Sequence, residues 1–257
     1  MISSVGVLGT GKMGGTIVQR LLKSRSWTIK AYDAQPDPEL TDSGCYVNDI
    51  ESLLGCDLVL LAVKPADFNV VARNLTGAKA VLSIMAGVPV ATISAQIQGL
   101  AESAVVRAMP NLGALIGKST TGVFSLNAAL AQECAGLLQA IGSTHVLQKE
   151  DDLHAFTALC GSGPAYAFAF IQALAEGAVQ SGLPYDQALQ LAAEMTLSSS
   201  ELLLTTREHP SVWRNRVTSP GGTTIAGLAR LERGRLHASV MDAIDAATNR
   251  SQQLSKS

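Results

Sequence analysis

Apolar positions in the first part of the chain fall into short runs separated by longer segments with helical spacing. The run from Leu58 to Val63 is continuously apolar rather than alternating, which is typical of a strand covered by helices on both faces. Such runs, alternating with helix-length segments, predict an α/β fold with a parallel, doubly wound sheet. The predicted strands are Ile2–Leu8, Trp27–Tyr32, Leu58–Val63, Ala80–Met85, Ala104–Ala108, Thr120–Phe124 and Thr144–Leu147.

From about residue 150 the pattern becomes entirely helical. Gly182 and Pro184 mark a helix end and a new start, and a Gly/Pro-rich turn covers residues 219–222. Helices are predicted over 150–181 (broken or restarted near 161–164), 184–206, 223–233 and 236–253. The chain therefore divides into a Rossmann-type domain, residues 1–150, and an all-helical domain, residues 151–257.

Small side chains dominate one predicted helix of the second domain. Close helix packing of this kind serves either an intramolecular bundle or a subunit interface. The interface is favoured because the helical domain is too thin to bury its own apolar faces, so we expect a homodimer or an assembly of dimers. The residues are Ala165, Ala167, Ala169, Ala173, Ala175 and Ala178.

Composition narrows the class of protein. Of 257 residues, 47% are hydrophobic and 16% charged, which excludes disorder. A net charge of −2 without a Lys/Arg block argues against nucleic acid and against an anionic membrane. The first residues lack a basic region followed by a long apolar stretch, so we expect no signal peptide, and we expect no membrane span because we recognise no uncharged apolar run of about 18 residues. Four scattered cysteines lack zinc-site spacing, so we expect no metal, reduced thiols and a cytoplasmic protein.

A glycine loop follows the first predicted strand and opens a helix. It reads Gly9-Thr10-Gly11-Lys12-Met13-Gly14, a pattern that binds dinucleotides: the first Gly permits the turn, the second admits the pyrophosphate and the third allows the helix to pack on the strand. A purely structural turn is the alternative. The context favours a nicotinamide cofactor held by residues 9–14.

Asp33 ends the second predicted strand, 19 residues after Gly14. An acid at this position holds the ribose hydroxyls and repels a 2′-phosphate. No Arg or Lys lies in residues 34–39 to compensate. Both NADPH and NADH remain open, with a weak lean to NADH; the alternative role of Asp33 is to cap the turn.

A second glycine-rich segment lies in the helical domain and reads Ser219-Pro220-Gly221-Gly222-Thr223-Thr224. Backbone N–H groups at such a helix start, together with the helix dipole, form a nest for a carboxylate. A turn capped by a Thr side chain is the alternative.

Six segments in the same order along the chain resemble the pyrroline-5-carboxylate reductase family. They are GTGKMGG at 9–15, AVKP at 62–65, SIMAGV at 83–88, RAMPN at 107–111, GSGPAY at 161–166 and VTSPGGTT at 217–224. The resemblance implies a Rossmann domain, a helical domain that forms an interlocked dimer, and an oxidoreductase that reduces 1-pyrroline-5-carboxylate to L-proline with NAD(P)H. The substrate would carry one carboxylate beside a ring imine.

Site residues follow from these motifs. Ala62, Val63, Lys64 and Pro65 end a buried strand at the ligand-binding edge of the sheet, where Lys64 is interpreted as positioning the cofactor rather than as catalytic or simply solvent-facing. Ala86 and Gly87 leave room for the nicotinamide, unless Gly87 is an ordinary turn glycine. The resemblance implies that the Thr224 hydroxyl bonds the ring nitrogen. It further implies that the carboxylate is held by Ser219, Gly221, Gly222 and Thr223.

Departures from the family pattern keep alternatives open. Lys12 replaces the usual Asn, and Leu112-Gly113 replaces Thr-Pro, so ring size stays undecided. The alternatives are a reductase of another cyclic imino acid, a β-hydroxyacid dehydrogenase-like enzyme and a non-catalytic NAD(P)-binding protein. The second should carry a helical Lys followed by a nearby Asn, whereas residues 165–206 contain no Lys. The four histidines are interpreted as structural or solvent-facing.

Overall fold

A seven-stranded sheet organises the first part of the protein. The computed structural model describes residues 1–256, and the order of strands across the sheet is β2-β1-β3-β4-β5-β6-β7. Every predicted run contains or overlaps a strand, so the predicted α/β fold is confirmed. The strands are β1 Ser4–Leu8, β2 Thr28–Tyr32, β3 Leu58–Leu61, β4 Val81–Ser83, β5 Val105–Met109, β6 Ser119–Ser125 and β7 Gly142–Val146.

The sequence predicts a parallel sheet, and this prediction is wrong for one strand. Strands β1 to β5 are parallel, but β6 runs antiparallel to β5 and parallel to β7. Only residues 110–118 connect β5 to β6, and they hold a single 3₁₀ turn, Leu112–Ile116. A parallel neighbour needs a crossover of a dozen or more residues, so this short connection reverses the strand.

Strand β3 shows why its sequence is continuously apolar. Leu58 and Leu60 belong to one hydrophobic core, whereas Val59 and Leu61 belong to another. Because successive strand residues point to opposite faces, these two cores lie on the two sides of the sheet. Both faces are covered, as the run predicted.

Eleven α-helices are formed within residues 1–256. They are α1 Lys12–Ser24, α2 Pro38–Thr41, α3 Pro65–Val71, α4 Val90–Gln96, α5 Ala128–Leu138, α6 Asp152–Phe156, α7 Gly163–Gln180, α8 Tyr185–Thr206, α9 Pro210–Arg216, α10 Thr223–Arg233 and α11 Leu236–Leu254. A π turn, Thr157–Gly161, separates α6 from α7 at the predicted break.

Helix α9 was not predicted, although its sequence carries a start signal. The His209 side chain accepts a hydrogen bond from the backbone N–H of Ser211, and Pro210 supplies the first helical residue. Proline is favoured at that position because its fixed φ suits a helix start.

The chain forms two compact units that do not divide at residue 150. Residues 1–162 and 245–257 make the first unit, and residues 163–244 make the second. Helix α6 belongs with the sheet because the Phe156 ring lies so close to Gly122 that a Cβ there would be 2.8 Å from it. The end of α11 belongs with α6, since the His154 ring is 2.9 Å from the Ser251 hydroxyl.

The second unit buries very little of its own apolar surface. Within residues 163–244 only Ala175, Ala188 and Ala192 are buried, and they join α7 to α8. Large apolar side chains remain exposed, among them Phe168 at 59% and Leu204 at 78%. Part of the alanine face therefore packs within the unit, and much apolar surface is left for a partner.

The expectation that no apolar run reaches membrane-spanning length is wrong, because the helical stretch Asp152–Gln180 is long and apolar enough to cross a membrane, judged by length and composition alone. Only 11% of its most apolar window is buried. The expectation that the protein meets no membrane therefore stays a prediction.

Candidate functional site

The glycine loop is locked between β1 and β3 at the carboxyl edge of the sheet. Gly9 has a φ of +98°, and a Cβ on it would lie 2.8 Å from the Ala62 carbonyl oxygen. A Cβ on Gly14 would collide with the Gly9 carbonyl oxygen and with the Ala62 side chain. The sheet order reverses at this point, which is where doubly wound sheets bind their ligands.

Gly11 has the opposite surroundings, because a Cβ on it would meet no atom within 4 Å. It caps α1 without any side-chain hydrogen bond, so the first N–H groups of that helix receive no acceptor from a cap residue. Lys12 beside it is exposed and Met13 is half-buried. Open space, helix-end donors and a positive side chain suit a pyrophosphate, so these residues fit a dinucleotide.

Asp33 is tied to the glycine loop. Its Oδ2 accepts a hydrogen bond from the Thr10 N–H at 2.6 Å, and its Oδ1 accepts from the Gln35 N–H at 2.9 Å. The capping role weighed from the sequence is therefore present in the structure. Its contact with ribose stays a prediction.

Tyr46 is a residue that the sequence reading missed. Its hydroxyl is 2.7 Å from the Thr10 hydroxyl and accepts a hydrogen bond from the Asp37 N–H at 2.8 Å. It thereby connects the glycine loop to the start of α2. Nothing in the pattern around residue 46 signals this contact, since it depends on a bridge between Ala31 and Tyr46 beside β2.

The other predicted cofactor residues follow β3 and β4 at the same edge of the sheet. Ala62 and Val63 are half-buried, whereas Lys64 and Pro65 are exposed and open α3. Ala86 is exposed and Gly87 is half-buried, in the loop after β4. The structure thus brings the predicted cofactor residues to neighbouring loops. Pro65 and Gly87 also line a cavity of about 500 Å³.

Gly87 has a structural requirement of its own. Its φ is +75°, and a Cβ there would lie 3.1 Å from the Cβ of Leu254 and 3.3 Å from its carbonyl oxygen. The end of α11 therefore packs against this loop. Glycine is needed here for the backbone conformation and the close approach, whatever else the loop binds.

A partly buried ion pair, Arg107 with Glu150, lies next to the same loop. Arg107 in β5 is 4% exposed, and its Nη1 donates to Glu150 Oε1 at 2.8 Å. The same carboxylate oxygen accepts a hydrogen bond from the Val90 N–H at 2.8 Å. The RAMPN motif had been read only for its position, and the role of Glu150 carries no sequence signal because its partners lie 43 and 60 residues away.

Asn111 connects the loop after β5 to the π turn. Its side chain donates to the Cys160 carbonyl oxygen and accepts from the Gly113 N–H, both at 3.0 Å. A Cβ on Gly113 would collide with the Lys118 carbonyl oxygen. Leu112 and Gly113, which replace the Thr-Pro of the family pattern, therefore form a tight turn that requires Gly113. The Leu112 residue is 48% exposed.

His154 is the one buried histidine within residues 1–256. Burial lowers its pKa below the ordinary 6.5, and the Arg107 and Lys256 charges lower it further, whereas Asp151 and Glu150 act in the opposite direction. His209 bonds within its own helix start, and His237 lies 3.2 Å from Glu232. These surroundings agree with a structural or solvent-facing role.

The predicted carboxylate nest lies in the second unit, where α10 begins at Thr223 as expected. Its N-cap is Gly222, and no side chain caps it, so the alternative of a Thr cap is wrong. Gly221 has a φ of +69°, and the Gly222 N–H donates to the Ser219 carbonyl oxygen at 3.1 Å. The Gly222 amide is thus engaged in the turn, and the first N–H groups of α10 are left for a ligand.

The predicted residues separate by unit. Those assigned to the cofactor all lie in the first unit, and those assigned to the substrate, Ser219 and 221–224, all lie in the second. No cluster of three His, Cys, Asp or Glu side chains that could hold a metal occurs among residues 1–256. The absence of a metal from the reaction stays an expectation.

The chain is similar in sequence and in structure to known reductases. The family model for pyrroline-5-carboxylate reductase dimerisation matches residues 150–254, and a model for coenzyme F420-dependent NADP oxidoreductases matches residues 4–87. A pyrroline-5-carboxylate reductase of Methanosarcina acetivorans is 35% identical over 98% of each chain. The solved structure of a pyrroline-5-carboxylate reductase from Coxiella burnetii is 30% identical, covers 100% of both chains and has a TM-score of 0.90. A Plasmodium falciparum pyrroline carboxylate reductase with NADP bound is 25% identical, covers 99% and 98%, and has a TM-score of 0.86.

A Rossmann-type sheet with an intact glycine loop, followed by a dimerisation region, defines a nicotinamide-dependent oxidoreductase. The chain belongs to the pyrroline-5-carboxylate reductase family.

Proposed function

We propose that the protein reduces 1-pyrroline-5-carboxylate to L-proline with NADPH or NADH, the last step of proline biosynthesis. The observation that carries the proposal is the 35% identity to a reductase of this name over 98% of both chains. The open space around Gly11 and the uncapped start of α10 support the proposal.

The cofactor, when bound, supplies a hydride to the imine carbon. Gly9, Gly11, Lys12, Met13 and Gly14 would hold its pyrophosphate at the start of α1, and Asp33 its adenosine ribose. Residues 62–65 and the pair Ala86-Gly87 would border its remaining parts. The protein's task is to orient the two reactants and exclude water.

The substrate's carboxylate would be held by Ser219, Gly221, Gly222 and Thr223. The support is the uncapped start of α10, where the N–H of Thr223 lacks an acceptor from a cap residue. The Gly222 N–H donates to the Ser219 carbonyl oxygen within the turn, so it would have to exchange that bond for one to the carboxylate. The Thr224 hydroxyl would bond the ring nitrogen and thereby fix which face of the imine is presented. A protonated imine is the more electrophilic form, so this contact bears directly on the rate.

Cofactor preference follows from charge near the adenosine ribose. Asp33 disfavours a 2′-phosphate, and residues 34–39 provide no Lys or Arg. This supports use of NADH at least as well as NADPH. Lys12 at the pyrophosphate is neutral in this choice because both cofactors carry that group.

We further propose a homodimer, or an assembly of dimers, formed through the second unit. The support is the exposed apolar surface of α7 and α8 together with the match to a dimerisation family. We propose a cytoplasmic protein without nucleic-acid or membrane partners. This is supported by four free cysteines and by the net charge of −2 without a basic block.

The test is a spectrophotometric assay of NADH and NADPH oxidation with five- and six-membered cyclic imino acids. We expect turnover with the five-membered ring and formation of proline. Faster turnover of the six-membered ring would replace this substrate by the second candidate, which the tight Leu112-Gly113 turn keeps open. Oxidation of a β-hydroxy acid with NAD⁺, and no reduction of either imine, would overturn the proposed function.

A further inference from the structure

Glu150 joins three parts of the first unit that are far apart in sequence. Its Oε1 accepts hydrogen bonds from the Val90 N–H and from Arg107 Nη1, each at 2.8 Å. Val90 is the first residue of α4 and directly follows the loop of residues 84–89. Arg107 is the register partner of Ser83, the last residue of β4.

At its β4 end the loop is held to the sheet, because the Ile84 N–H donates to the Leu61 carbonyl oxygen at 3.0 Å; at its α4 end it depends on the Glu150 carboxylate. Pro89 is the N-cap of α4 and provides no side-chain hydrogen bond. Before the helix, the Met85 N–H donates to the Ser83 hydroxyl at 3.2 Å, and Leu254 packs on Gly87. Glu150 thus supplies the acceptor at the point where the loop enters α4.

Arg107 in turn fixes the carboxylate. Its side chain is 5% exposed, and Glu150 is its ion-pair partner within residues 1–256. Its Nε has no hydrogen-bond partner there. A buried guanidinium with one ionic partner holds that partner strongly, because leaving the charge unpaired away from water is costly.

We propose that Glu150 is a positioning residue for the nicotinamide end of the cofactor. Glu150 fixes the position of the 84–89 loop relative to the carboxyl ends of the strands, and Arg107 holds the Glu150 carboxylate in place. The inference rests on the proposed function, which assigns Ala86 and Gly87 of this loop to the nicotinamide. Glu150 itself touches neither reactant in this role.

The test compares two double variants that both remove the buried positive charge. Arg107→Met with Glu150→Gln keeps an acceptor for the Val90 N–H, whereas Arg107→Met with Glu150→Ala removes it. Two quantities are measured for each: amide hydrogen exchange of residues 84–92 in the cofactor-free protein, and affinity for NADH relative to ADP-ribose, which lacks the nicotinamide. We expect the Ala variant to exchange about tenfold faster and to bind NADH about tenfold more weakly than the Gln variant, with ADP-ribose affinity within about twofold.

A carboxylate at the opposite edge of the sheet provides the control. Asp57 accepts hydrogen bonds from the N–H groups of Ser3 and Ser4 and pairs with Lys79. Asp57→Asn loosens that edge but should leave the NADH-to-ADP-ribose ratio and the exchange of residues 84–92 unchanged.

Equal NADH affinity in the two double variants, or an equal loss of NADH and ADP-ribose affinity, would overturn the inference. So would unchanged exchange of residues 84–92. Failure of the proposed function gives a different result, because the wild-type protein would then reduce neither cyclic imine. Loop exchange and cofactor affinity are measured without substrate and do not depend on that outcome.

Discussion

The carboxylate of Asp33 and the backbone N–H of Thr10 are joined by a hydrogen bond of 2.6 Å. The bond ties the end of β2 to the glycine loop after β1, so one side chain shapes the loop proposed to hold the pyrophosphate and is itself the residue proposed to hold the ribose. Substitution of Asp33 should therefore weaken the binding of both cofactors by disturbing the loop. It should weaken NADH binding further, because the contact with the ribose is also lost.

Asp33→Asn keeps the size of the side chain but removes its charge and one strong acceptor. We expect KM to rise for both cofactors and more for NADH, so that the ratio of kcat/KM moves about three- to tenfold toward NADPH, the effect of about one hydrogen bond. Steady-state kinetics with both cofactors measures this. A wild-type preference for NADPH of tenfold or more would contradict the lean to NADH.

Gly11 and Gly14 form a matched pair for testing the cofactor site. Gly11 has a φ of −60° and open space around it, so Gly11→Ala causes no clash. It should cost at most about 1 kcal/mol of stability, because Ala is a poorer N-cap than Gly, and it should obstruct the pyrophosphate. Gly14→Ala collides with backbone and should lower the free energy of unfolding by about 1–3 kcal/mol. Urea unfolding and NADH titration separate the two effects. Unchanged NADH affinity in Gly11→Ala would show that the pyrophosphate does not bind at this loop.

His154 makes stability depend on pH. Its pKa in the folded protein lies below 6.5, so the unfolded chain binds the proton first as the pH falls. Its contribution is complete above about pH 6.5 and is lost as the pH falls from there toward the folded pKa, by at most about 1.4 kcal/mol per pH unit.

His154→Asn should flatten the dependence of unfolding free energy on pH below about 6.5. The measurement is urea unfolding at several pH values and one protein concentration. His209→Asn, at an exposed histidine, is the control and should retain the wild-type slope. An identical slope in His154→Asn would show that other groups produce the dependence.

Phe168 tests the proposed interface, because it is 59% exposed on α7. Phe168→Glu places a charge in apolar surface that a second copy would cover, so we expect a shift from dimer to monomer at micromolar concentration. Light scattering measures it. Leu126→Glu, at an equally exposed leucine of the first unit, should stay dimeric. A wild-type protein that is monomeric and active would contradict the proposal.

Thr224→Val tests the placement of the substrate. It removes one hydroxyl at nearly constant volume, and loss of one hydrogen bond to a buried partner costs about 1–3 kcal/mol. We expect kcat/KM to fall roughly 10- to 100-fold with little change in NADH affinity. Stability should hardly change, because no side chain caps α10.

Thr196→Val is the matched control for this variant. Its hydroxyl bonds the Ala192 carbonyl oxygen within α8, so kcat/KM should stay near that of the wild type. Full activity in Thr224→Val, or a loss caused only by weaker cofactor binding, would contradict the placement of the substrate. The 219–224 segment would then be interpreted as a structural turn.

Local pattern alone determined most of the elements of this protein. Strand β3 could be recognised because its unbroken apolar run has to be buried on both faces, and the glycine loop because its three glycines recur at a fixed spacing within six residues, directly after a strand. The start of α10 at Thr223 was likewise visible in the Gly-Gly-Thr-Thr sequence. These are short-range requirements, so the sequence states them directly.

Tertiary structure decided what depends on partners distant in sequence. The reversal of β6 follows from the short 110–118 connection and its pairing with β5. The return of residues 245–256 to the first unit follows from contacts such as that of Ser251 with His154 of α6. Glu150 meets Val90 across 60 residues, and Asp33 meets Thr10 only because β1 and β2 lie side by side. A hydrogen bond or ion pair needs two groups within about 3 Å, and only the folded chain determines which groups come that close.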